Sequence, residues 1–270
     1  MTKGGTIRRA IKNAAIRALP LPVRKGLCIA INRQARLGPD VRWWWTQELL
    51  RDYREADVVA YHQFLWSHHL GYALPYENRV RFGRHNMVPS RALFFEDLNR
   101  ELLKMGVNPS KDVRSVLEVG CSLGYQLRYC ETDLFPSAVR LDGIDIDGYA
   151  IERGMEYLRK EGSRVRIWLR DTRELGELLR ETHYDVILCT GVLMYLDQRA
   201  ATEAVLTMVR HGNVLTALSG LAHPEMDNRS MRASVSRDSD AAFIHNMDQM
   251  VEVSNGVVLG RRWGGEKTVG

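Results

Sequence analysis

Beyond residue 110 the chain alternates short apolar runs with longer stretches in which apolar residues recur every three or four positions. The short runs predict strands at 115–119, 140–145, 165–169, 185–189, 214–218 and 257–261. The longer stretches predict helices that begin near Tyr125, Tyr149, Arg173, Gln198 and Ala241. Gly162 and Gly212 stand where helix C-terminal stops belong, and Asp147 and Asp197 where N-caps belong. Such alternation argues for parallel strands joined by crossover helices, a doubly wound α/β sheet.

Before residue 110 the pattern is helical. An imperfectly amphipathic helix is expected over 6–19, ended by Pro20 and Pro22, and a turn-rich break follows at 37–40. From 43 to 71 the chain is rich in aromatics, and Leu49, Tyr53, Ala56, Ala60 and Phe64 recur at the spacing of one long helix with a buried face. A second helix is expected over 90–106, with Ser90 as N-cap, Gly106 as stop, and Phe94, Leu98, Leu102 and Met105 turned inward. The expected division is a basic extension over 1–40, a helical cap over 41–110 and an α/β domain over 111–270.

Charge changes the picture at the N-terminus. The net charge is +5, and nine cations (Lys3, Arg8, Arg9, Lys12, Arg17, Arg24, Lys25, Arg33 and Arg36) precede Asp40, the first acid. Such a segment suits an anionic membrane surface or RNA, and peripheral membrane contact through 6–36 is one expectation. The four cysteines form no C-x-x-C pair, so neither a zinc site nor a disulfide framework is indicated. No apolar run reaches the roughly 20 residues of a membrane span, and a cytoplasmic location is expected.

Candidate chemistry sits at the carboxyl ends of the predicted strands, where open parallel sheets bind ligands. The first strand runs into Glu118-Val-Gly120-Cys121-Ser122-Leu-Gly124-Tyr125, an acid followed by a glycine turn. The second ends at Asp145-Ile146, the third is followed by Asp171-Thr172, and the fourth by Thr190-Gly191. A dinucleotide fingerprint would need glycine where Ser122 and Tyr125 stand, and a pyrophosphate would be repelled by Glu118.

Glu118-x-Gly120-x-x-x-Gly124, with acids at the next two strand ends, resembles the first motifs of class I S-adenosylmethionine-dependent methyltransferases. The resemblance covers about 116–262. It implies cofactor contacts from Glu118, Gly120, Cys121, Ser122, Gly124 and Tyr125. Asp145 and Ile146 correspond to the ribose position, Asp171 and Thr172 to the adenine position, and Thr190 and Gly191 to the methionine position. The implied reaction is in-line methyl transfer from S-adenosylmethionine, leaving S-adenosylhomocysteine, to an oxygen or nitrogen of a small molecule such as a natural product or sugar.

If the acceptor is a hydroxyl, its proton must be removed. Candidate bases are His223, then Tyr195, then His245, while His68 and His69 lie in the helical cap. A metal-assisted route would need an acid where Cys189-Thr190 stands, so no metal is expected, although Asp227-Asn228 resembles half of such a site. The family's usual strand order is 3-2-1-4-5-6 with an antiparallel seventh strand. Here 257–261 is expected to be the sixth, 264–270 a hairpin, and the seventh is missing. The alternatives are an RNA methyltransferase and a non-catalytic cofactor-binding scaffold tethered by its basic N-terminal helix.

Overall fold

Five of the apolar runs form one parallel sheet in the computed structural model, which describes residues 16, 18–71, 73, 89–237 and 240–262. The chain divides into two compact units, Met1–Leu74 and Pro75–Gly270.

In the first unit, α1 (Leu21–Asn32), α2 (Pro39–Ala56) and α3 (Val58–His68) enclose a core of Cys28, Leu49, Leu50, Tyr61, Phe64 and Leu65. Pro20 and Pro22, expected to end a helix, start one. Pro20 is the N-cap of α1 and Pro22 lies in its first turn, where the missing N–H has no partner to lose. The expected helix over 6–19 lies almost wholly outside the described residues. The single long helix expected over 43–71 is two. Asp57 turns extended (φ −152°, ψ 90°) and its carboxylate accepts from the Ala60 N–H, so it starts a new helix inside an unbroken apolar pattern.

The second unit begins with α4 (Pro89–Lys104) and the short α5 (Pro109–Asp112). Phe95, Leu98 and Leu102 of α4 are buried, Phe94 packs at the margin, and Met105 is exposed beyond the helix end. Gly106 carries the expected left-handed stop (φ 76°). The rest of the unit is β1 (Ser115–Val119), α6 (Tyr125–Tyr129), β2 (Arg140–Asp145), α7 (Gly148–Lys160), β3 (Arg166–Leu169), α8 (Leu175–Leu178), β4 (Tyr184–Thr190), α9 (Gln198–His211), β5 (Gly212–Ser219), β6 (Val235–Ser236), β7 (Phe243–Ile244) and α10 (Met247–Val253). Asp147 caps α7 and Asp197 caps α9, as their positions predict. The sheet order is β3-β2-β1-β4-β5, all parallel. β2 carries a fully buried acid, Asp142. It accepts from Arg140 Nε (2.7 Å), Arg166 Nε (3.1 Å) and the Tyr184 hydroxyl (2.8 Å), binding β2 to both β3 and β4.

Two expectations fail near the C-terminus. The helix expected from Ala241 starts at Met247, because 235–244 first folds as the small antiparallel ladder β6-β7. The sixth strand expected over 257–261 does not form. Val257 and Leu259 are exposed, Arg261 pairs with Asp248, and Arg262 grips Asp97 of α4 with two hydrogen bonds (2.6 and 2.8 Å). The segment is held by charge pairs to α10 and α4 and makes no ladder with β5. The hairpin expected over 264–270 lies outside the described residues. Among the described residues no helix is long and apolar enough to cross a membrane.

Candidate cofactor site

The turn after β1 is fixed by β2. Ile144 carbonyl accepts from both the Gly120 and Cys121 amides (2.8 and 3.0 Å), and Asp145 Oδ2 accepts from the Ser122 amide (2.7 Å). Asp145 Oδ1 takes the Asp147 amide at 2.9 Å. Gly120 sits at φ 80°, and a Cβ there would lie 2.0 Å from Val192 Cγ2, so this position admits no side chain. Ser122 is also left-handed (φ 47°) and Gly124 is the N-cap of α6. The amides of 120–122 are thus engaged by Ile144 and Asp145.

Glu118 is fully buried beneath this turn. Its Oε1 accepts from Gln126 Nε2 at 2.6 Å, and the same amide nitrogen reaches Thr190 Oγ1 at 3.1 Å. Glu118 Oε2 and Gln126 Oε1 are both buried with no donor. Burial pushes the Glu118 carboxyl up to about 8 against the opposing pull of the Arg91 charge, and the Asp145 charge adds to the rise. Asp145 is itself raised by burial, opposed by the Asp147 and Ser122 amides. Gln126 joins Glu118 to Thr190, yet sequence reasoning missed it. A glutamine in the first turn of a helix carries no motif, and the only signal was its place eight residues beyond Glu118.

The remaining expected residues occupy the same edge of the sheet or border it. Cys121 is buried, its thiol pushed far up by burial, so it contributes no thiolate. Tyr125 packs edge-on against Tyr157 (4.7 Å between centroids) and Ile146 is half-buried just past β2. Asp171 caps the turn Thr172–Glu174 in a capping box, and its Oδ2 pairs with Arg173 at 2.8 Å, so an adenine amino group would share that carboxylate with a guanidinium. Thr190 is buried, and the Gly191 amide (φ 71°) donates to the Ser219 carbonyl, closing β4 onto β5.

The histidines are built differently from what a base requires. His223 Nδ1 accepts from the Glu225 and Met226 amides (3.1 and 3.3 Å), which places the proton of the neutral ring on Nε2 and leaves a donor there. His245 is buried, with Nε2 donating to the Leu193 carbonyl (2.8 Å) and Nδ1 facing Ser234 Oγ (2.6 Å). Burial lowers its pKa. Both rings fasten loops. Tyr195 ends the single 3₁₀ turn Leu193–Tyr195 that follows β4. His68 and His69 belong to the first unit, at the end of α3 and at its C-cap. Asp227 is tied to Arg229, whose guanidinium holds the carboxyl at about 2, while Asn228 bonds Leu221, His223 and His245. Among the described residues no group of three or more His, Cys, Asp or Glu is placed to hold a metal.

The stretch from 117 to 215, which carries β1 to β5 and this turn, matches a family model described as a methyltransferase domain. That part of the chain is similar to methyltransferase domains. Solved structures similar to the chain include three methyltransferase-related proteins. The O-methyltransferase of a trans-AT PKS multienzyme of Brevibacillus brevis, in complex with S-adenosyl-L-homocysteine, is 18% identical over 66% of this chain and 60% of that one (TM-score 0.43). Magnesium protoporphyrin IX methyltransferase from Synechocystis PCC 6803, with bound SAH, is 15% identical over 60% and 71% (TM-score 0.42). PKMT2 from Rickettsia typhi, in complex with AdoHcy, is 21% identical over 50% and 25% (TM-score 0.37). The chain therefore spans a quarter of the Rickettsia protein and three fifths of the Brevibacillus one. No curated protein matches. The matched region begins after α4 and ends before the loop 221–237.

Proposed function

We propose that the second unit binds S-adenosylmethionine and transfers its methyl group to an oxygen or nitrogen of a small molecule, without a metal. The observation that carries this reading is the pair of buried acceptors, Glu118 Oε2 and Gln126 Oε1, that have no donor of their own. Buried polar atoms normally find a partner, and two adjacent acceptors call for a ligand bearing N–H groups and positive charge. The methionine end of this cofactor carries an ammonium and a sulfonium. When bound, the cofactor supplies an electrophilic methyl on sulfur. Glu118, Gln126 and Thr190 would hold its amino acid end, Asp145 its ribose, and the Asp171–Thr172 turn its adenine. Tyr195 is the remaining acid-base group among the three expected, because both histidines are committed to loop contacts. His223 then serves as a hydrogen-bond donor toward an acceptor oxygen.

The test is calorimetric binding of S-adenosylhomocysteine to the full chain, followed by incubation with labelled S-adenosylmethionine and small-molecule extract fractions. Binding that Asp145→Ala abolishes, together with label in a small-molecule fraction, is expected. Absence of binding sinks the cofactor assignment. Binding with no labelled product in any fraction favours a scaffold, and label recovered in RNA overturns the small-molecule acceptor.

A further inference from the structure

The surface helix α1 is amphipathic in the wrong sense for a helix facing water. Its outward residues are Pro22, Val23, Gly26, Leu27 and Ala30, a stripe at helical spacing that contains no charge. The two cations of the helix face inward. Arg24 is buried and donates to the Leu49 carbonyl (3.3 Å) and to Asp52 (3.4 Å), while Lys25 Nζ lies 3.9 Å above the Tyr53 ring and 4.9 Å above that of Phe64. Val23 and Leu27 are left 47% and 41% exposed. The first two turns of α2 add Val41 and Trp44, 45% and 41% exposed.

Cations surround this apolar stripe in the sequence. Arg33 and Arg36 are exposed just past its end, five more cations lie before residue 18, and no acid occurs before Asp40. An apolar face with Lys and Arg at its margins and a tryptophan nearby is the composition of a helix lying in a bilayer interface. We propose that α1 and the first two turns of α2 form a docking face for an anionic lipid bilayer, holding the protein at the membrane surface. Charge complementarity decides among occupants. A second copy of the same face would bring Arg33 and Arg36 toward like charges, with no acid before Asp40 in either copy to offset them. RNA would engage the cations but gain little from Val23 and Leu27.

Flotation of the full chain with phosphatidylcholine vesicles, with and without about one-third phosphatidylglycerol, tests this. The protein is expected to float with the anionic vesicles only, less at high salt. The double variant Val23→Glu/Leu27→Glu should bind them roughly tenfold or more weakly with an unchanged unfolding midpoint. Flotation that ignores the anionic lipid, or that the double variant retains in full, overturns the proposal. So does a wild-type dimer that the double variant dissolves without any vesicle binding, or salt-sensitive RNA binding with no flotation. Should the double variant fail to fold, an environment-sensitive dye on Val23→Cys gives an independent reading, since all four native cysteines are buried. Its emission should shift to the blue on adding the anionic vesicles, and an unmoved spectrum overturns the proposal.

Discussion

Glu118 links the site to pH in two ways that can be separated. Its pKa is about 8 in the folded chain against an ordinary 4.5, so the folded state keeps a proton that the unfolded chain loses between those values. The stability from this protonated acid is complete below about 4.5, declines as pH rises through the window, and is gone above about 8. Glu118→Gln removes the titration, so the stability of the variant relative to wild type should climb across that window. The slope is at most on the order of 1.4 kcal/mol per pH unit, read by urea unfolding at several pH values. A cationic ligand beside Glu118 favours the carboxylate. Cofactor binding near neutral pH should release up to about one proton, seen by calorimetry in buffers of different ionisation enthalpy, and Glu118→Gln should release none. At Gly120 the barrier is steric. Gly120→Ala forces a Cβ onto Val192 at φ 80°, and a loss of roughly 1–3 kcal/mol in chemical denaturation is expected, with cofactor binding lost as well. The acids and glycines of this site were legible because each ends a strand or demands a special backbone. Gln126 was not, and the committed nitrogens of His223 and His245 depend on Glu225, Met226, Leu193 and Ser234, contacts that no residue spacing announces.

Among the elements, β2 holds the sheet through Asp142. Asp142→Ala would leave the Tyr184 hydroxyl without its acceptor and two guanidinium groups without their shared carboxylate. A cost of roughly 3 kcal/mol in urea unfolding is expected. S-adenosylhomocysteine affinity of the folded fraction should stay within about twofold, since Asp142 touches none of the proposed ligand groups. The strands around it were readable because buried parallel strands are continuous apolar runs bounded by polar turns, and β1 and β2 match their expected ends. Helix breaks were harder to read. Asp57 interrupts a stripe from Leu49 to Phe64 whose period continues straight across the break, because the packing of both helices on one core preserves it. The run at 257–261 has strand-like residues, but strand formation needs a neighbour's ladder, and Arg261 and Arg262 are drawn to acids of α10 and α4.

In the whole molecule, every residue of the proposed site belongs to the second unit, and the exposed apolar face of α1 belongs to the first. A fragment of Pro75–Gly270 should therefore bind S-adenosylhomocysteine within about threefold of the full chain and should not float with anionic vesicles. A fragment that folds by circular dichroism but has lost its affinity would show that the first unit takes part in binding. Asp145 carries a consequence of another kind. The carboxylate that would take a ribose is the same one that holds the Ser122 and Asp147 amides, one oxygen for each. Asparagine offers one acceptor and turns an N–H toward an amide donor, so even the mildest exchange there disturbs the turn along with the ligand contact. A lineage drifting away from this cofactor could not discard Asp145 first; it would have to rebuild the turn before it could forget the ligand.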